Sequence, residues 1–406
     1  MVQKTFGMKQ HGTAGGTVAT ERIGDFPLKN WTGSIWDKVE NISGQRMTES
    51  ILAGRYFCGG CVIGCGREVE IKEGPYTMKG AGPEYETLSA LGGGCYITDT
   101  AAIIKGGELC NILGLDTIST GNSIQWLLEC KQRGVVTDED ASGLDLSWGN
   151  TETMIELIKM IANREGIGDL LAKGLKVASE ELGGDSYKWA IQARGLEQSR
   201  VETRSTYAYA LAFAISSRGP DHLNTECLAE FGGSPEARQL IKRITGSEEY
   251  AYPHTTEKRA EIVRWHEDIY GASDALGICA FPTTAQFWVD EWDLADLFQS
   301  FTGIGIEASE IMEAGRRMIT LERCFNAMLG YTRKDDVLPY RFMNEVQHDA
   351  MHENAINSEQ MLDIMKDEYF ALHEWDIETG IPTKATLEKL GLGEFIDKIT
   401  GYIQLK

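Results

Sequence analysis

Residues 309–330 read "SEIMEAGRRMITLERCFNAMLG". Ile311, Ala314, Met318, Leu321, Phe325 and Met328 recur at spacings of three and four, which lays one apolar stripe along a helix, and Gly330 offers a stop. The same period runs through "TMIELIKMIANREGIGDLLAKGLKVASEELGG" (153–184), expected as two helices broken near Gly166 and Gly168, with Gly183 and Gly184 ending the second. "AAIIKGGELCNILGLD" (101–116) reads as helix up to Gly114, and "SIQWLLECKQRG" (123–134) as a further amphipathic helix ending at Gly134. Alternating strand patterns are few, and "REVEIKEGPYTMKG" (67–80) is the one candidate hairpin. The fold class expected is therefore mostly α, two multihelical domains with little β structure. The boundary falls in "GGDSYKWAIQARGLE" (183–197), at about residue 190, which gives domains 1–190 and 191–406.

The chain has 406 residues, 25% of them charged, and a formal net charge of −22. That field repels a phosphate backbone, and no run of Lys and Arg opposes it, so nucleic acid is not an expected partner. No stretch of eighteen apolar residues occurs and the first twenty residues lack an apolar signal core. The expected location is cytoplasmic, without a membrane association.

Nine cysteines in such a chain point to reduced thiols and metal sites over a disulfide framework. Cys95, Cys110, Cys130, Cys227 and Cys324 stand singly in apolar or helical contexts and read as small buried hydrophobes. "RYFCGGCVIGCGREVE" (55–70) is different, because Cys58, Cys61 and Cys65 are separated by glycine and small aliphatics. Gly59, Gly60, Gly64 and Gly66 let such a loop wrap a compact centre with its sulfurs pointing inward. A zinc module would pair the knuckle with a second CxxC or His pair, which the sequence lacks, so an iron–sulfur cluster is the preferred reading, with zinc or a packing role as alternatives. A [4Fe–4S] cube needs a fourth ligand. Cys279 in "SDALGICAF" (273–281) follows a glycine turn beside an acidic residue and is the best candidate.

Seven stretches in order carry a resemblance: "GTAGGTVATERIGDFPLKNW", "CGGCVIGCGR", "KGAGPEYETLSALGGGCYITD", "ELCNILGLDTISTG", "SSRGPDHL", "SDALGIC" and "WDIETGIPTKATLEKLGL". Together the chain resembles the two C-terminal helical domains of the tungsten-dependent aldehyde:ferredoxin oxidoreductase family. The resemblance implies a [4Fe–4S] cluster on Cys58, Cys61, Cys65 and Cys279. It also implies a tungsten bis-molybdopterin held by two segments of the form Asp-x-x-Gly-Leu-(Asp/Cys). The first maps onto Asn111, Gly114, Leu115 and Asp116, with Asn in place of the acid. The second maps onto Asp274, Gly277, Ile278 and Cys279, with Ile in place of Leu. Without the resemblance, Asn111 and Asp274 read as ordinary polar residues at helix ends.

"GPEYET" (82–87) places Glu84 and Glu86 after a Gly-Pro turn, where two exposed carboxylates are the plain reading. The resemblance makes one of them a general base or water-orienting group near the metal, without deciding which. It likewise assigns His222 in "SRGPDHLNTE" (217–226) to the substrate oxygen. His266 is a second histidine candidate, equally explained by a surface helix.

The function implied is the C-terminal part of a tungstopterin and [4Fe–4S] oxidoreductase that oxidises aldehydes to carboxylic acids, with ferredoxin or another electron-transfer subunit as acceptor. The alternatives are a reductase subunit of the tungsten benzoyl-CoA reductase type and a non-catalytic iron–sulfur scaffold. Family members begin with a pterin-saddle domain that this sequence does not include. A separate N-terminal pterin-binding subunit, loss of tungstopterin from this polypeptide alone, and exposed surface around 80–120 and 270–282 are therefore expected. Homodimerisation is a further expectation from related proteins.

Overall fold

The structure, a computed structural model, describes residues 6–141, 143–349 and 354–406. Helices dominate, as the apolar period requires, with a three-stranded and a two-stranded sheet beside them. The chain divides into two compact units, Met1–Ser205 with Pro339–Ile356, and Thr206–Leu338 with Asn357–Lys406.

In the first unit, strand β1 (Leu52–Tyr56) pairs with β2 (Gly66–Ile71), and β2 with β3 (Met78–Ala81), all antiparallel. The hairpin read from residues 67–80 is β2–β3; β1 joins it with the register Tyr56↔Gly66. Val69 and Ile71 point from β2 into a core shared with α1 (Thr100–Leu113), α2 (Thr117–Gln132) and α3 (Thr151–Asn163). Asp99, Asp116 and Asn150 supply the N-caps of these helices, each accepting main-chain N–H groups of the first turn. Residues 153–184 form three helices, not two: after α3 the chain breaks again at Lys173–Gly174, where Gly174 has φ +81°.

Residues 88–93, the heart of the glycine-rich "LSALGGGC" segment, are a buried π-turn. A Cβ on Gly93 would lie 2.3 Å from the Phe26 ring, so the glycines serve close packing, and this part of the expected exposed surface is interior. The segment 339–356 returns to this unit through Arg341. Its guanidinium donates to Glu129 Oε2 at 2.9 Å and Oε1 at 2.6 Å with both side chains buried.

In the second unit, α4 (Tyr207–Ile215) is apolar on every face and buried from Ala208 to Ile215. α5 (Arg259–Ala275) and α7 (Glu359–Leu372) pack on it, and α6 (Ala308–Met328) packs on α5. The α5–α6 crossing explains why the stripe read from 309–330 is rotated. Gly315 touches the Asp268 main chain so closely that a Cβ would lie 1.8 Å from its carbonyl oxygen. Ile311, Gly315, Thr320, Cys324 and Ala327 are therefore buried, while Phe325 is 60% exposed. Leu321 and Met328 pack on a smaller cluster built from Leu387, Leu390, Leu392, Ile399 and Leu405. Among the described residues no helix is long and apolar enough to cross a membrane.

Candidate functional site

Cys58, Cys61 and Cys65 all sit in the loop that joins β1 to β2. The Cys61 N–H donates to the Cys58 carbonyl at 3.0 Å, which starts the turn. Ile63 and Gly64 then aim their main-chain N–H groups at Cys61 Sγ, 3.4 Å each. Two main-chain N–H groups thus converge on that one sulfur. Gly60 and Gly64 take φ of +73° and +68°, and a Cβ on Gly64 would lie 2.0 Å from the Phe57 ring. The loop is anchored by Ile63, 2% exposed, while Val62 faces solvent. As placed, no three His, Cys, Asp or Glu side chains among the described residues are gathered around a metal position. The donor set nonetheless fits a cluster, with three thiols on one glycine turn and the middle one hydrogen-bonded.

The remaining cysteines divide sharply. Cys95, Cys110, Cys130, Cys227 and Cys324 are buried; burial pushes the Cys95, Cys110 and Cys324 thiols up to about 12 and raises the other two well above the ordinary thiol range. Cys58 and Cys279 are exposed, and Cys61 and Cys65 partly so. The four cysteines that reach the surface are the four expected to bind the cluster, and the five read as packing residues are packing residues.

The two Asn/Asp-x-x-Gly segments adopt one local geometry. α1 ends with Gly114 at φ +74°; the Gly114 N–H donates to the Asn111 carbonyl (3.4 Å) and the Leu115 N–H to the Cys110 carbonyl (2.8 Å). α5 ends with Gly277 at φ +70°, its N–H on the Asp274 carbonyl (3.0 Å) and the Ile278 N–H on the Ser273 carbonyl (2.9 Å). Both are Schellman caps, so Asn111 and Asp274 occupy equivalent places, one in each unit, with their side chains exposed. A hydrogen-bonding ligand can reach such side chains. Beyond Asn111, Ile112 is 68% exposed and Leu113 38%. Asp116 spends one carboxylate oxygen on the Ser119 N–H at 2.7 Å as the N-cap of α2. Asp274 is raised above the usual carboxylate range by desolvation, partly offset by Arg218.

Glu84 and Glu86 diverge. Glu84 accepts the Thr13 hydroxyl, pairs with buried Arg67 at 3.5 Å, and remains 46% exposed. Arg67 also donates to the His11 and Pro83 carbonyls, which ties the strand just after Cys65 to the Glu84 turn. Glu86 accepts the Arg200 main-chain N–H at 2.9 Å. Arg200 is wholly buried, donates to Asn122, Gln125, Ser89 Oγ and the Pro27 carbonyl, and is pushed down to about 10 by desolvation. Both carboxylates are half-buried and they differ in what holds them, a hydroxyl and a guanidinium at Glu84 and a main-chain N–H at Glu86.

In the second unit, His222 opens a single turn, His222–Asn224, that Asp221 caps through the Leu223 N–H at 2.6 Å. Arg218 pairs with Asp221. Asn224 donates to Ser217 Oγ at 2.9 Å, and Glu226, at φ +56°, accepts the Thr284 hydroxyl at 3.3 Å. Tyr270 of α5 is raised by burial first, then by the charges of Glu226, Asp274, Asp221 and Cys279. The unit therefore gathers the His222 turn around the Asp274–Cys279 end of α5. Sequence reasoning missed Arg67, Arg218, Glu226 and Tyr270; Arg67, Arg218 and Glu226 stand within four residues of a quoted cysteine or histidine, the signal that could have found them. His266 is not on a surface helix. It is fully buried, its Nδ1 lies 2.7 Å from the Ile262 carbonyl, and burial pushes it down to about 4.

A family model described as "Aldehyde ferredoxin oxidoreductase, domains 2 & 3" matches residues 1–392. A tungsten-containing aldehyde ferredoxin oxidoreductase of Pyrococcus furiosus is 30% identical over 393 residues, 96% of this chain and 61% of that protein. Its counterpart in Thermococcus kodakarensis is 29% identical over 394 residues, with the same coverage. The WOR-like subunit of an aliphatic sulfonate oxidoreductase of Pyrococcus furiosus is 30% identical over 400 residues, 94% of this chain and 57% of that one. Among solved structures, the active-site complex BamBC of benzoyl coenzyme A reductase, bound to 1,5-dienoyl-CoA, matches with a TM-score of 0.76 at 23% identity. That match covers 98% of this chain and 62% of the other. The chain thus spans about three fifths of the length of these relatives.

Proposed function

The chain belongs to the aldehyde ferredoxin oxidoreductase family, and from that premise we propose that it is the cluster-binding and substrate-side part of a tungstopterin oxidoreductase acting on aldehydes. The observation that carries the proposal is the division of the cysteines: four accessible, three of them on one N–H-rich loop, and five buried. Cys58, Cys61, Cys65 and Cys279 would hold the [4Fe–4S] cluster, and Asn111 and Asp274 would accept hydrogen bonds from the pterin amino and ring N–H groups. When bound, these groups supply the two-electron chemistry at the carbonyl and its onward passage as single electrons.

Oxidising an aldehyde to a carboxylic acid consumes one water and releases two protons and two electrons. The electrons go to a one-electron acceptor, ferredoxin or a partner subunit. The protons fall to this chain's own side chains. Glu84, half-buried and steadied by Arg67 and Thr13, is suited to orient or deprotonate the water. His222, on a capped turn, is suited to hydrogen-bond the substrate oxygen and take a proton. The test is turnover of small aldehydes with a viologen dye by the assembled enzyme, compared with its iron and tungsten content. Cluster without any aldehyde turnover would favour the scaffold reading. A reductase of the benzoyl-CoA type is a second reading, favoured by the fold match to that complex, and acyl-CoA substrates in the same assay separate it.

A further inference from the structure

Behind the His222 turn lies a narrow cavity, with room for about one water molecule, bounded by Ser217, Asn224, Glu267, Glu322, Tyr369 and Trp375. Ser217 and Asn224 belong to the His222 segment; Glu267 and Tyr369 come from the middle of α5 and α7. Glu267 is 2% exposed and its Oε2 accepts the Tyr369 hydroxyl at 2.6 Å. A buried carboxyl that serves packing alone is normally paired with a cation, because an unpaired charge is costly to desolvate. Arg323 also lines the cavity, but its guanidinium is bidentate to Asp336, and Arg316 is paired with Asp268.

Burial accordingly pushes Glu267 up to about 8; the Tyr369 hydrogen bond opposes this, Asp268 and Glu322 add to it, and Arg323 opposes it. The other titratable neighbour is His373, whose ring lies 4.3 Å from that of Tyr369. Both its nitrogens are buried without a hydrogen-bond partner among the described residues, and burial with Arg264, Arg316 and Arg323 holds it well below its ordinary range. Of the two groups, Glu267 is the one pushed toward its protonated form. Along α5, Tyr270 and Asp274 stand three and seven residues beyond Glu267, on the same helix face, and lead to the exposed end beside Cys279.

We propose that Glu267, with the Tyr369 hydroxyl bound to it, is a proton-relay station for the chemistry at the His222 turn. A proton released there passes to the water of the cavity; that water gives a proton to the Glu267 carboxylate, forming an O–H bond there as its own breaks. The carboxyl later returns it by the reverse exchange, and no electrons are transferred. The proposal rests on the oxidoreductase reading for the origin of the proton, but the holding of a proton by Glu267 is a property of this chain alone.

Two measurements test it. Infrared difference spectra of the chain against pH read the carboxylic C=O band, and steady-state turnover of the assembled enzyme is recorded in light and heavy water. In wild type the band titrates near pH 8, and it is missing in Glu267→Gln. Tyr369→Phe, which removes a bond favouring the carboxylate, moves the titration to higher pH. In the assembled enzyme Glu267→Gln lowers kcat about tenfold or more with KM and iron content unchanged and a larger solvent isotope effect, and Glu267→Asp restores part of the rate. A band that titrates in the ordinary carboxylate range, an unmoved titration in Tyr369→Phe, or wild-type kcat and isotope effect in Glu267→Gln overturns the relay. If the wild-type enzyme turns over no aldehyde, the functional reading fails, and the infrared titration still decides whether Glu267 holds the proton.

Discussion

Replacing Gly64 by alanine should cripple the cysteine loop more than the same change at Gly60, although both glycines have φ near +70°. An L-residue in that region costs about 1–2 kcal/mol. At Gly60 that is the whole effect, because nothing lies within 4 Å of the new Cβ. At Gly64 the Cβ falls 2.0 and 2.2 Å from two carbons of the Phe57 ring, which must swing away. Phe57 is 57% exposed, so the ring gives up less than half of its burial, about 1 kcal/mol on the scale of a fully buried phenylalanine. The sum is about 2–3 kcal/mol for Gly64→Ala against about 1–2 for Gly60→Ala. Without a ligand a hairpin tip relaxes into another turn, so the strain reappears as lost affinity. At 1.4 kcal/mol per factor of ten, cluster binding weakens roughly 30- to 150-fold and 5- to 30-fold respectively. The assay is anaerobic reconstitution with iron and sulfide, followed by competition with a chelator and monitored by the visible charge-transfer band. Equal retention of the cluster by Gly64→Ala and wild type would refute the idea that this loop geometry is the ligand-holding one.

Three other outcomes follow from the same physics. Arg341→Ala strands the buried Glu129 carboxylate, and since Arg133 still reaches Glu129 Oε1 at 2.8 Å the loss belongs at the low end of the range for a broken buried pair, about 3 kcal/mol by urea unfolding. Because Glu267 is raised in the folded chain, from 4.5 to about 8, its contribution is complete below the unfolded value and is lost as pH climbs to the folded one. The melting temperature of wild type relative to Glu267→Gln should therefore fall between pH 5 and 8, and parallel curves would contradict it. His222→Asn should lower kcat by roughly a hundred- to ten-thousandfold while leaving iron content unchanged; a near wild-type rate removes His222 from proton transfer.

The helices were legible because their apolar period is strong and their ends carry chemical marks, Asp99, Asp116 and Asn150 at the starts and Gly114 and Gly330 at the stops. The rotation of the 309–330 stripe was not, since it depends on which backbone Gly315 meets, and a glycine does not announce its partner. The return of residues 339–356 to the first unit rests on long-range pairs such as Arg341 with Glu129, Gln347 with Ser34 and Phe342 with Trp31, which no local pattern records. At the site, the cysteine loop was visible as spacing, whereas the paired Asn/Asp-x-x-Gly segments were visible only through the family resemblance. The distinction between Glu84 and Glu86 was invisible, because it lies in Arg67 and Arg200, whose hydrogen bonds are made across the fold. Glu267 and Tyr369 carry no mark in the sequence, and what sets them apart among the described residues is the burial of a carboxyl against a hydroxyl.

The account turns on four sulfurs sharing one cluster. Mössbauer spectra with iron and sulfide analysis of the anaerobically purified protein, beside its Cys279→Ser variant, test this most directly. One [4Fe–4S] cube per chain that is lost or converted to a three-iron form in the variant is the predicted result. Zinc in place of iron, or a cube unchanged when Cys279 is replaced, would contradict it.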